Sequence, residues 1–144
     1  MASLRTDVLA DNSVTQAPVT QSLAIAVGKQ QLTLAPKPDT DSCTTRECIR
    51  KMIVHYASKY GVSPDLAVSV AECESHLRTN VYGDHGLAYG VFQFHEETFD
   101  LFAAEEFPAE TLDYHDPEDA IKLAIVSIAH GRGDHWTCYR WATR

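Results

Sequence analysis

No stretch of this sequence stays apolar over the roughly 18–20 residues that a membrane-spanning helix needs. Its first residues, MASLRTDVLADNSV, lack the hydrophobic core of an export signal, so nothing in them is expected to direct export. The four cysteines form no C-x2-C pair, which argues against a zinc site. The seven histidines show neither H-E-x-x-H nor a comparable ligand spacing, so no metal and no cofactor is expected. Positive charge is scarce: 12 Lys and Arg stand against 20 Asp and Glu, for a net charge of −8. A chain so acidic is a poor partner for a nucleic-acid backbone. Glycine is sparse as well, with only seven residues, and three of them, Gly83, Gly86 and Gly90, crowd into one short loop.

What is present suits one small domain. The chain has 144 residues, of which 44% are hydrophobic, enough for a single core. Residues 1–42 differ from the rest: they are rich in Gln, Thr, Ser and Pro with short apolar pieces, and read as a tail or linker with one short strand at QQLTLA. The domain is expected over residues 43–144 and mainly α. Thr44-x-x-Glu47 has the form of a capping box. Ile49, Ile53, Tyr56, Ala57 and Tyr60 follow at helical spacing, with Gly61 as the stop. Ser63-Pro64 opens a second helix running to about Leu77. The glycine loop, with a short strand pair, leads through VFQF to a helix from Glu96 to about Ala104. Asp116-Pro117 starts the last long helix, which ends at Gly131 and leaves DHWTCYRWATR as a tail. Cys43, Cys48, Cys73 and Cys138 are an even set that permits three full pairings, and suits two disulfides in an oxidising compartment better than four free thiols.

The second helix carries VAECESHL, in which two glutamates flank a cysteine inside an apolar segment. Advancing about 100° per residue from Leu66 puts Val70 at about 40°, Cys73 at about 340° and Ala71 at about 140°. Glu74 falls at about 80°, within that apolar arc, while Glu72 falls at about 240° beside Asp65 and His76. Glu72 reads as a solvated carboxylate and Glu74 as one on the packed side. A carboxyl against an apolar wall has its charged form disfavoured, which suits a general acid. The same position also suits a structural ion pair, and helix geometry leaves the two readings even.

The following loop, GDHGLAYGVFQF, favours the first. Its glycines let backbone approach a ligand closely. Tyr82, Tyr89 and Phe92 offer flat faces, and Gln93 offers an amide donor and acceptor. Flat faces beside polar groups suit a sugar ring, which is apolar on its faces and ringed by hydroxyls.

CES followed by GDHGLAYGVFQF resembles the lysozyme-like fold of lytic transglycosylases and, more distantly, goose-type lysozymes. With Thr98-Phe99 after the Gln segment and the ending GRGDHWTC, it is also similar to resuscitation-promoting factors. The resemblance spans about residues 45–140. It implies a peptidoglycan glycosidase acting at the β-1,4 bond between N-acetylmuramic acid and N-acetylglucosamine, outside the cytoplasm or at the cell wall. It implies Glu74 as the single catalytic acid/base, with Ser75 packed beside it. Tyr89, Gly90, Phe92, Gln93, His95, Thr98 and Tyr114 become candidate substrate contacts. Asp84 matches a loop aspartate that could position water in a hydrolytic muramidase. A second carboxylate after the Gln segment is missing here, because Phe94-His95 occupies that place. The resemblance also implies Cys73–Cys138 and Cys43–Cys48 as the disulfides. A glycan-binding module without catalysis is the reading from another class. The acidic charge, facing an anionic wall, implies transient engagement or a tethering protein partner. Arg132-Gly133-Asp134 spells an adhesion-like tripeptide, but three residues recur by chance and the end of a helix explains the glycines.

Overall fold

The computed structural model describes residues 43–144; the expected tail over 1–42, with its strand at QQLTLA, lies outside them. Helix α1 spans Arg46–Tyr60, and its cap is Thr45 rather than Thr44. The Thr45 hydroxyl accepts from the Cys48 N–H at 3.2 Å, so the expected reciprocal box with Glu47 gives way to a one-sided cap. Gly61 ends the helix at φ 75°, returning its N–H to the Ala57 carbonyl. Helix α2 spans Pro64–Ser75, capped by the Ser63 hydroxyl on the Leu66 N–H. It stops two residues before Leu77, because His76 and Leu77 both turn to positive φ.

The glycine loop then folds into a three-stranded antiparallel sheet of two-residue strands: β1 (Tyr82–Gly83), β2 (Ala88–Tyr89) and β3 (Phe94–His95). Tyr82 pairs with Tyr89, and Tyr89 in turn with Phe94. Helix α3 spans Glu96–Glu106 and α4 spans Pro117–Ala129. Asp116 caps α4 by accepting from the N–H groups of Glu118 and Asp119 at 2.8 and 3.0 Å. The segment read from sequence as a tail is helical: a 3-10 turn at Gly133–His135 leads into α5, Thr137–Ala142. The domain is thus mostly helical, with the small sheet set between α2 and α3.

Helix α4 is the hub. Ala120, Ile121 and every residue from Leu123 to Ile128 are buried, so it is apolar nearly all round, as a central helix must be. It packs against α1 and α3, while α2 packs against α1 and α5. Phe92, Phe94, Phe99 and Phe102 close the core with Trp136. Polar contacts tie the helices together. The Tyr56 hydroxyl donates to the Glu118 carboxylate across α1 and α4. Glu72 is not free in solvent as its helical position suggested: it accepts from Arg46 at 2.7 Å and Arg50 at 2.9 Å, joining α1 to α2. Partners on a neighbouring helix, invisible to a single-helix projection, make the difference.

The Arg-Gly-Asp tripeptide is spent on the fold. Arg132 pairs with Glu105 at 2.5 Å and Glu106 at 3.5 Å, and its guanidinium lies 4.7 Å over the Phe102 ring. Gly133 is buried against Tyr139, where a Cβ would meet the ring at 2.4 Å.

Candidate active site

Glu74 stands in the last turn of α2. The buried residues of that helix are Ala67, Val68, Val70, Ala71 and Ser75, so the packed face keeps Ala67, Val70 and Ala71 of the expected arc and extends beyond it to Val68 and Ser75. Cys73, expected on the apolar side, is exposed even though it is bonded to Cys138; Glu74 lies on the rim and is half-buried. Helix α5 packs on α2, and the loop segment at Val91 is tied to its end through Ser75. Glu74 Oε1 accepts from the Cys138 N–H at 3.3 Å. Burial raises the Glu74 pKa above the ordinary carboxyl range, and that single backbone donor opposes the shift only in part.

The carboxyl opens into a cleft of about 530 Å³. One wall is the sheet, through Gly83, Asp84, Ala88, Gln93, Phe94 and His95. Thr98 of α3 and the run His135, Trp136, Thr137 complete the lining. The carboxylates in this lining are Glu74 and Asp84, and no Lys or Arg is among its residues. Asp84 is paired with His95, Oδ2 to Nε2 at 3.0 Å, and both are solvent-exposed.

Sequence-expected residues outside the cleft hold it in shape. Ser75 is buried: its hydroxyl donates to the Val91 carbonyl at 2.7 Å and accepts from the Arg78 N–H at 3.2 Å. It therefore fixes the end of α2, and with it Glu74, to the loop that becomes the opposite wall. Phe92 is fully buried in the core, and its carbonyl accepts the Trp136 indole N–H at 2.8 Å. Gly90 is buried at φ 77° and gives its N–H to the Val81 carbonyl. Tyr89 is half-buried among Tyr82, Tyr114 and His115, with ring centroids 4.7, 5.7 and 4.9 Å away. Ser75 thus packs beside Glu74 as expected, whereas Tyr89, Gly90 and Phe92 are not among the residues lining the cleft. Gly90 and Phe92 are buried, and Tyr89 packs against Tyr82, Tyr114 and His115 beside a second groove.

Gln93 does line the cleft, but its amide group is engaged. It donates to the carbonyls of Gly90 at 2.7 Å and Val81 at 3.1 Å, from a backbone at φ 50°. Its Oε1 lies over Gly83, where a Cβ would stand 2.1 Å away. Gly83 is thus required by close approach, and Gln93 acts as the brace of the loop. Asp84 and Gln93 of the cleft wall, and His85 next to Asp84, all hold positive φ, a strained set that the sheet and this brace maintain.

The second groove, about 560 Å³, shares His95 and Thr98 with the first and adds Tyr82, Leu87, Glu96, Tyr114 and His115 among its lining. Tyr114 lies here, its hydroxyl donating to the Phe94 carbonyl at 2.7 Å. Burial raises its pKa, with smaller contributions from Glu96, Tyr82 and Tyr89. The sequence reading missed His135, Trp136 and Thr137 as cleft residues. The one signal for them was adjacency to Cys138, whose disulfide with Cys73 brings that segment beside Glu74. Cys43 and Cys48 form the other disulfide. Among the described residues, no cluster of His, Cys, Asp and Glu is arranged to hold a metal, and no helix is long and apolar enough to cross a membrane.

Ser75→Ala tests the tie between helix and loop. It removes the donor to Val91 and leaves that buried carbonyl unpaired, at a cost of about 1–3 kcal/mol. The expected result in a denaturant titration is that loss, with activity reduced because Glu74 is less firmly held.

Residues 51–134 match the family model described as the transglycosylase SLT domain. No curated protein and no solved structure matches the chain. The match takes in Glu74, the whole sheet, α3, α4 and the start of the final turn, and covers more than half of the sequence. The chain therefore belongs to the transglycosylase SLT domain family, whose members act on peptidoglycan as lytic transglycosylases.

Proposed function

We propose that this protein cleaves the β-1,4 bond between N-acetylmuramic acid and N-acetylglucosamine by intramolecular transglycosylation, with Glu74 as the only acid/base. The observation that carries the reading is a half-buried Glu74 whose carboxyl opens into the cleft, where burial pushes its pKa up and so favours the protonated form. Protonated Glu74 donates to the glycosidic oxygen as the bond from muramic C1 to that oxygen breaks. The muramic 6-hydroxyl then attacks C1 of the oxocarbenium-like centre, and the Glu74 carboxylate takes the hydroxyl proton. Glu74 ends as it began, and the product carries a 1,6-anhydro end. The substrate lies outside the cytoplasm, and two disulfides fit such a compartment.

The competing reading is hydrolysis, with Asp84 positioning water. Its pairing with His95 through Oδ2 engages part of the carboxylate, and its exposure leaves it without the burial that marks Glu74. Mass spectrometry of peptidoglycan digests separates the two. The expected products carry 1,6-anhydromuramic ends, and Asp84→Asn retains most of the activity. Reducing-end products together with an inactive Asp84→Asn variant would establish the hydrolase. An inactive wild type that still binds glycan would establish a binding module.

A further inference from the structure

The protein has two tryptophans, and they have opposite surroundings. Trp136 is buried, with its ring edge-on to Phe92 and Phe94 and its indole N–H on the Phe92 carbonyl. Trp141 is 64% exposed, and its indole has neither a ring partner nor a hydrogen bond among the described residues. It belongs to α5, the short helix that the Cys73–Cys138 disulfide fastens to the catalytic helix.

Its place on α5 is informative. Thr137 lines the Glu74 cleft, and Trp141 follows it by four residues, so the two share one face of the helix. Cys138, in the first turn of α5, gives its N–H to Glu74, so the start of this helix lies at the acid/base. Tyr139 packs on Gly133, and Arg140 is drawn back to the Asp134 carbonyl and the Thr137 hydroxyl at 3.0 Å each. Those contacts occupy the remaining faces and leave the Trp141 indole as the free flat surface one turn beyond the cleft lining. The cleft lining itself presents no exposed large aromatic ring: Phe94 and Trp136 are both buried.

Resting on the reading above, in which a glycan strand occupies the cleft, we propose that Trp141 is a stacking platform that extends the sugar-binding site past Thr137. The occupant is an N-acetylated amino-sugar ring of the same strand. Its apolar face covers the indole, a contact that gains from burial of aromatic surface. The ring is held at a fixed distance from Glu74 because α5 is covalently pinned, so stacking there sets the register of the strand. The contact acts on binding and not on bond breaking.

The test uses the full chain and purified uncrosslinked peptidoglycan glycan strands. Trp141→Ala should raise KM about tenfold, equivalent to ~1.4 kcal/mol, with kcat within about twofold. Trp141→Phe, which keeps a flat apolar face, should recover most of the loss. Independently of turnover, Trp141 is the indole accessible to acrylamide, and saturating strands added to Glu74→Gln should protect its fluorescence from quenching. Unchanged KM in Trp141→Ala, or quenching unaffected by saturating strands, would overturn the platform. An inactive wild type that still shows protection would uphold the platform while overturning the enzyme reading.

Discussion

Glu74→Gln is expected to abolish release of anhydro-muropeptides, by on the order of 10²–10⁴-fold for the loss of a general acid/base. The amide keeps the shape and can still accept from the Cys138 N–H, so the fold should survive. The pH behaviour adds a second reading of the same residue. Catalysis needs the protonated carboxyl, so kcat/KM should fall on an alkaline limb set by the raised Glu74 pKa, above the ordinary carboxyl range. Stability follows the linkage sign for a raised acid: the folded chain holds this proton to higher pH than the unfolded chain. That contribution is complete below the unfolded pKa and is lost as pH rises through the folded one. Wild type and Glu74→Gln should therefore melt alike in acid, and the variant should melt higher at alkaline pH. An active Glu74→Gln variant, or a variant less stable than wild type at alkaline pH, would remove Glu74 from the role. Glu72→Gln should leave chemistry intact and weaken only the Arg46 and Arg50 contacts.

Removing the Cys73–Cys138 crosslink should produce the largest loss of stability. The bridge closes a loop with a sequence separation of 65, and such a loop contributes about 4 kcal/mol in the chain-entropy account. The double variant Cys73→Ser, Cys138→Ser is expected to lose that amount in a denaturant titration, with Tm lower by on the order of 15 °C. Cys43–Cys48 closes a separation of only five, so its double serine variant should lose about 2 kcal/mol. The two bridges also differ in their effect on activity. Cys138 gives Glu74 its backbone donor and stands next to Trp136 and Thr137 of the cleft. Below its melting point the Cys73/Cys138 variant should therefore turn over slowly, while the Cys43/Cys48 variant should remain near wild type. Equal activity in both would mean that core packing alone holds α5 in place.

The local half of this protein was legible in its residues. Gly61, Ser63-Pro64 and Asp116-Pro117 mark helix ends because each satisfies, or tolerates the lack of, a backbone hydrogen bond within a few residues. The shift of the first cap from Thr44 to Thr45 shows the limit, since two adjacent threonines offer the same hydroxyl and only the turn geometry chooses. Glu74 was singled out by its position on the helix and by the loop beyond it. Asp84, Gln93, His95 and Thr98 came with it, because they lie within about a helix and a turn of each other in sequence.

The remainder depended on contacts between distant segments. Periodicity tells which side of a helix is apolar, but not which neighbour covers it. Cys73 is therefore exposed where an inward position was expected, and Glu72 is clasped by α1 where a free one was expected. Phe92 and Ser75 have residue types suited to a binding site, yet lie in the core, because the loop crosses over α2 and buries them. The last residues look like a polar tail, since α5 is too short to show a helical period; docking on α2 and a disulfide make it helix and bring Thr137 to Glu74. The sequence by itself determined helices α1 to α4, the glycine loop and the place of Glu74 between them. Only the tertiary structure decided that Glu74 loses part of its solvent, because that loss comes from segments that meet it in space and not along the chain.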